Sequence, residues 1–319
     1  MSIVRNGAGE AGLHPARSVR SVCFNVERDK EGGIGMSERS ALQGIQAPGS
    51  QGAGTHFVRR GSGVPVLFVH GNGVDHRMLL ELDTVFEQIG GWERIHFDLP
   101  GFGRTPALPA PGGLPEIAEW LEATARDLLG ERHFAVVGAS LGALLTRELA
   151  ARLKEQCLGF ALLAPVVDSV RDHRTLPEPA VLVEDAALLR SLDPADAVDY
   201  AELAVIQSPE NWQRFRDAVL PGVRAADERA MDRLAQRYAL PTLPDAQLEG
   251  FDKPVLIVAG RQDAVVGFHD QWVLSQRFPH ATFAVLDRAG HNISIDQPEA
   301  VAGLLARWAE QVAERADNP

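Results

Sequence analysis

From about residue 55 onward, short apolar runs alternate with stretches in which apolar residues return every three or four positions. That alternation is expected when buried parallel strands are joined by amphipathic crossover helices. Seven runs read as strands: "THFVRR", "VPVLFVHG", "RIHFDLP", "HFAVVGA", "LGFALLAP", "KPVLIVAG" and "ATFAVLD". Helical spacing predicts helices over about 76–89, 115–130, 141–155, 270–278 and 297–314. The last carries a start signal: Asp296 as an N-cap, Pro298 in the first turn and Glu299 three residues after the cap. The pattern predicts an α/β fold with a doubly wound, mostly parallel sheet.

Two stretches break the alternation. Residues 168–250 hold acidic, Ala-rich amphipathic segments and several prolines but no buried strand, and read as a helical cap inserted between core segments 55–167 and 251–319. The insertion leaves the chain just past the C-terminal end of a strand, the edge where open α/β sheets bind ligands, so it should fold over the site as a lid. Residues 1–54 are rich in Gly, Ser and charge without sustained periodicity and read as a flexible leader. Within it "SVCFNV" suits a short edge strand, and Met36 suits an alternative native start.

Composition narrows the function more than the fold. At 319 residues and 45% hydrophobic content, one large domain with an insertion is as well accommodated as two domains. A net charge of -12 and a pI near 5.3 argue against nucleic acid or an anionic membrane as partner. The two cysteines, Cys23 and Cys157, are too few for a disulfide framework or a cysteine zinc site, which fits a reducing cytoplasm. Cys157 suits a small packing residue. The sequence shows neither a transmembrane run nor the apolar core of a secretory signal.

The chemistry centres on "AVVGASLGALL". Gly138, Ala139, Ser140, Leu141 and Gly142 fill the G-x-S-x-G pattern, and Leu141, Leu144, Leu145, Leu149 and Leu153 continue it at helical spacing. Strand, sharp turn and helix form the setting in which that pattern exposes a serine nucleophile. A serine hydroxyl is weak at neutral pH and needs a base and an acid to orient the base. Asp263 in "AGRQD" and His291 in "RAGHN" each follow an apolar run, and the order Ser, Asp, His suits the elbow. Taken singly, Asp263 suits a turn and His291 a structural hydrogen bond; their shared place at strand ends favours catalysis. An oxyanion also needs donors. The backbone N–H groups of Asn72, in "FVHGNGVDH", and of Leu141 are the candidates, with Gly73 as the alternative to Asn72.

Taken together, "HGNG", "DLPGFGRT", "GASLG", "GRQD" and "GHN" resemble the α/β-hydrolase superfamily over residues 55–315. The resemblance implies a structural His70 supporting the oxyanion loop and an Asp98 that fixes a glycine turn. It also offers Asp168 as a substitute acid in place of Asp263. Because Ser140 stands where epoxide- and halide-processing relatives use aspartate, those reactions are not implied. Cofactorless perhydrolase-like members share the triad.

The reading is therefore a serine hydrolase acting through an acyl-enzyme on a small or medium carboxylic ester, lactone or thioester, with no metal and no organic cofactor. C-C hydrolysis of a diketone-like substrate and ligand sensing on a hydrolase scaffold are the alternatives. Trp212, Phe215, Leu188 and Leu189 are candidates to line the acyl pocket, with helix packing inside the insertion as their other use. His76 is a candidate for substrate contact or a solvated residue. The partner is a small acyl molecule; oligomeric state is left open.

Overall fold

Each of the seven apolar runs forms a strand: β1 Phe57–Gly61, β2 Val64–Val69, β3 Trp92–Phe97, β4 Phe134–Ala139, β5 Cys157–Leu163, β6 Val255–Gly260 and β7 Ala281–Leu286. They make one sheet in the order β1-β3-β2-β4-β5-β6-β7, parallel except for β1, which runs antiparallel to β3. These are features of a computed structural model that describes residues 54–316. Cys23, Met36 and "SVCFNV" lie outside the described residues.

Strands β3 to β6 are buried along their whole length, which is why they read as unbroken apolar runs. β3 is the exception in composition, since it begins at Trp92 and buries Glu93, Arg94 and His96. Each is paired. Glu93 meets Arg59 and Arg132, while Arg94 and His96 converge on Asp83. Asp83 also explains why the helix expected over 76–89 is two helices, α1 Arg77–Leu80 and α2 Asp83–Ile89. The break lets Asp83 start a new helix with its carboxylate buried against β3.

Crossover helices α3 Leu114–Leu129 and α4 Leu141–Arg152 follow β3 and β4. Leu114, Ile117, Ala118, Leu121, Ala125 and Leu129 form the apolar stripe of α3, and the Glu116 side chain accepts the Gly113 N–H at its start. Between β5 and β6 come five short helices: α5 Ala186–Ser191, α6 Pro194–Ala201, α7 Pro209–Ala218, α8 Leu220–Ala225 and α9 Glu228–Gln236. Asp185, Asp193, Ser208 and Asp227 cap four of them by accepting backbone N–H groups. After β6 come α10 His269–Ser275, then α11 Ile293–Asp296 and α12 Pro298–Ala316 beyond β7.

The inserted helices rest on the loops at the C-terminal edge of the sheet. The Asp227 N–H donates to Gly101 O at 2.9 Å, and Arg237 O accepts the Leu114 N–H at 2.9 Å. Gly222 packs so closely on the Val74–Asp75 backbone that a Cβ would come within 2.5 Å of Asp75 N. Among the described residues no helix is long and apolar enough to cross a membrane.

Arg147, on α4, is fully buried. It pairs with Asp245 and donates to Val166 O and Val167 O at 3.0 and 2.8 Å, tying α4 to the turns on either side of the insertion. Removing Asp245 would strand a buried guanidinium. Asp245→Ala should therefore cost about 3–5 kcal/mol in urea unfolding, while the apolar pair Arg147→Met with Asp245→Leu should recover most of it. A loss below about 1 kcal/mol in the single variant would show that water or another group compensates the charge.

Candidate active site

Ser140 occupies the single residue between β4 and α4, with φ 52° and ψ -117°. A non-glycine residue rarely adopts positive φ, and holding it there costs about 1–3 kcal/mol. Backbone bonds hold it: the Ser140 N–H donates to Leu163 O at 2.9 Å, and its carbonyl accepts from Ala143 and Val166. The two glycines of the motif have steric reasons. A Cβ on Gly138 would lie 2.4 Å from Gly142 O, and one on Gly142 would lie 2.1 Å from Val69 O. The tight turn thus brings the start of α4 against the end of β2, and Gly71 comes against Ser140 itself, where a Cβ would approach to 3.2 Å.

The loops after β6 and β7 supply the other two groups. His291 Nε2 lies 3.0 Å from Ser140 Oγ, and its Nδ1 lies 2.9 Å from Asp263 Oδ2. All three are buried, Asp263 completely. The other Asp263 oxygen accepts the N–H groups of Val265 and Val266 at 2.8 and 3.0 Å. With a carboxylate on Nδ1, that nitrogen carries the proton and Nε2 is left to accept from the serine hydroxyl. Asp168 is placed elsewhere: it accepts the Val170 N–H and lies 2.9 Å from the exposed His173 ring.

On the other side of Ser140, the loop after β2 carries His70, Gly71 and Asn72. His70 Nδ1–H donates to Gly71 O at 2.7 Å and Nε2 accepts the Leu99 N–H at 2.9 Å, so both nitrogens are committed to backbone. Burial lowers its pKa further, and the ring stays neutral as a brace between two loops. Leu141, the first residue of α4, has no intrahelical acceptor for its N–H, which sits at the positive end of the helix dipole.

Asp98 is fully buried under Gly103, whose φ of 53° leaves no room for a Cβ above the carboxylate. It accepts the His76 N–H, the His76 ring and the Arg104 N–H. Burial alone would raise its pKa; those bonds outweigh it and hold the carboxyl well below the usual range. His76 is therefore committed to Asp98 at 2.6 Å. His56, His76 and Asp98 also form a possible metal-ligand group. The imidazole nitrogens lie 2.8 and 2.6 Å from the carboxylate oxygens. Two ligands of a tetrahedral zinc would sit about 3.3 Å apart, so the spacing is that of direct hydrogen-bond contacts.

Trp212 and Phe215 form an aromatic cluster with Tyr200 inside the insertion, at centroid separations of 5.3 to 6.2 Å. Leu188 and Leu189 are half-buried and pack against the core. The residues that flank His291 belong to the segment between β5 and β6 and to the loop after β6. Pro179, Val181, Leu203, Val205 and Val265, with Glu202 and Gln262, line a mostly apolar cleft of about 170 Å³ that reaches the imidazole. Cys157 is buried in β5, where burial pushes its thiol up to about 12, so it stays protonated at neutral pH.

Asp296 is not the cap of the last helix. It ends α11, and α12 starts at Pro298 with Gln297 O accepting the Val301 N–H at 3.1 Å. Its carboxylate turns toward the His291 loop instead, accepting the Gly290 N–H at 2.8 Å and the Asn211 side-chain amide at 3.2 Å. A local pattern shows an acidic residue before a proline; the partner 85 residues away is invisible in it.

A family model described as "Alpha/beta hydrolase family" matches residues 66–304. The chain is 26% identical over 258 residues to a poly(3-hydroxyalkanoate) depolymerase from Ectopseudomonas oleovorans, spanning 79% of this chain and 86% of that protein. It is 30% identical over 216 residues to a pimeloyl-(acyl-carrier protein) methyl ester esterase from Aromatoleum aromaticum, spanning 63% and 85%. Among solved structures, an alpha/beta superfamily hydrolase from Oenococcus oeni PSU-1 superposes with a TM-score of 0.73 at 26% identity, covering 81% of this chain and 96% of that one.

Proposed function

The chain belongs to the alpha/beta hydrolase family, and we propose that it is a serine esterase that cleaves small or medium carboxylic esters through an acyl-enzyme. The observation that carries this reading is the relay of Ser140 Oγ, His291 Nε2, His291 Nδ1 and Asp263 Oδ2 at 3.0 and 2.9 Å. His291 takes the Ser140 proton as Oγ attacks the acyl carbon, then protonates the departing alkoxide; Asp263 steadies the imidazolium between the two steps. Water, deprotonated by the same imidazole, attacks the acyl-enzyme and regenerates the serine. The backbone N–H groups of Asn72 and Leu141 are assigned to the oxyanion, whose charge also faces the dipole of α4.

The two similar proteins named for esters or polyesters support the same bond type. The cleft beside His291 supports a modest substrate group that is mostly apolar, with Glu202 and Gln262 at its polar part. At about 170 Å³ it is smaller than the roughly 300–1,000 Å³ of pockets that enclose whole drug-sized ligands, so it suits one short apolar moiety. Its contact with His291, proposed to protonate the alkoxide, supports assigning that moiety to the leaving-group side.

The test is fluorophosphonate labelling of the wild type and Ser140→Ala, followed by turnover of p-nitrophenyl and alkyl esters of increasing length. Labelling only of the wild type, with turnover of short esters, is expected. Equal labelling of both proteins would remove Ser140 from the mechanism. Labelling without turnover of any ester, lactone or thioester would move the assignment to C-C cleavage or ligand sensing.

A further inference from the structure

Asp296 joins the inserted helices to the peptide that carries His291. Its Oδ2 accepts the N–H of Gly290, the residue before His291, and its Oδ1 accepts from Asn211 on α7. Both partners are fixed. Asn211 Nδ2 also donates to Ile206 O at 3.2 Å, so its NH₂ rather than its carbonyl faces the carboxylate. Gly290 is pressed against the insertion, where a Cβ would lie 2.6 Å from Val205 Cγ2.

We propose that Asp296 is a positioning residue whose carboxylate transmits the seating of helix α7 to the His291 peptide, aligning the imidazole when the inserted helices are docked. This rests on the reading of His291 as the base. The carboxylate holds two donors at once, one from each side, and only an ionised carboxylate offers a good acceptor to both. Once protonated, it turns a hydroxyl toward one of two groups that can only donate, and one bond is lost.

The surroundings put that change within reach of neutral pH. Burial pushes the Asp296 carboxyl up to about 7, with the like charge of Asp263 acting in the same direction and the bonds from Gly290 and Asn211 opposing both. Tyr200 on α6 faces it as a neutral hydroxyl, its own pKa pushed up to about 12 by burial. As pH falls through about 7 the carboxylate takes a proton and the link between α7 and Gly290 weakens; as pH rises it re-forms.

The test is ¹⁵N-histidine NMR on the full chain, with the His291 ring signals assigned by their loss in His291→Gln. In the wild type those signals should show a step centred near pH 7. Asp296→Asn should abolish the step. Asn211→Ala, which removes a donor to the carboxylate, should move it to higher pH. On p-nitrophenyl butyrate each variant should lower kcat about tenfold or more with KM within about twofold, as loss of one hydrogen bond to a charged group implies. The double variant should be no slower than Asp296→Asn alone, because the two residues act in series. Identical pH profiles of the His291 ring signals in all three proteins, or losses that multiply in the double variant, would overturn the coupling. Its failure and that of the esterase reading are distinguishable: a wild type that turns over no ester but shows the His291 steps leaves the coupling intact and sinks the esterase.

Discussion

Ser140→Ala is expected to lower kcat on a p-nitrophenyl ester by about a millionfold while leaving KM within a few-fold, the scale on which removal of a triad serine acts elsewhere. The substitution deletes one atom, Oγ, which lies 3.0 Å from His291 Nε2. Alanine keeps the Cβ that already fits against Gly71, and the strained φ of 52° is held by bonds to Leu163, Ala143 and Val166 that do not involve the side chain. The fold should therefore be unchanged, and thermal melting by circular dichroism should superimpose on the wild type. What remains is the assistance given by oxyanion donors and binding, about a thousand- to ten-thousandfold over water. A kcat loss under about a hundredfold would mean that another group carries the attack.

Asp263→Asn should cost about ten-thousandfold in kcat, again with little change in KM. The direction follows from how the side chain is held. Oδ1 accepts two backbone N–H groups, from Val265 and Val266, so an asparagine must place its carbonyl oxygen there. Its NH₂ then takes the position of Oδ2 and faces His291 Nδ1, forcing that nitrogen to accept. The ring proton moves to Nε2, which can no longer receive the serine proton. Asp168→Asn, by contrast, should leave kcat within about twofold, because Asp168 lies with His173 rather than with His291. Steady-state kinetics of the two variants, side by side, separates the two carboxylates; a larger loss at Asp168 would reverse the assignment.

The sheet was legible because strands buried on both faces need apolar residues at every position, and such runs stand out in β4, β5 and β6. The run "RIHFDLP" starts two residues inside β3 and continues three beyond its end, because the buried Glu93 near the strand's start carries a charge that only Arg59 and Arg132, from other parts of the chain, neutralise. Ser140, Asp263 and His291 were visible for a related reason: each follows the end of a strand, and parallel strands bring those ends to one edge. The five helices of the insertion were visible only as a region. At six to ten residues each they are too short to hold a helix by local propensity, and tertiary packing decides their limits.

The aim of individual side chains was the least legible property. Trp212 and Phe215 carry enough apolar surface either to line a pocket or to pack with Tyr200, and composition does not choose. The same holds for His76, which pairs with Asp98 across 22 residues, and for Asp296, whose partner is on another layer of the molecule. In each case the deciding neighbour lies on another element, and no periodicity within one helix encodes it.

The backbone at position 140 has a cost that belongs to the chemistry rather than to folding. Glycine would occupy φ 52° without penalty, yet it would bring no hydroxyl. Ser140→Gly should therefore release that backbone strain and raise the melting temperature while removing the hydroxyl, so that the two properties separate at this one position.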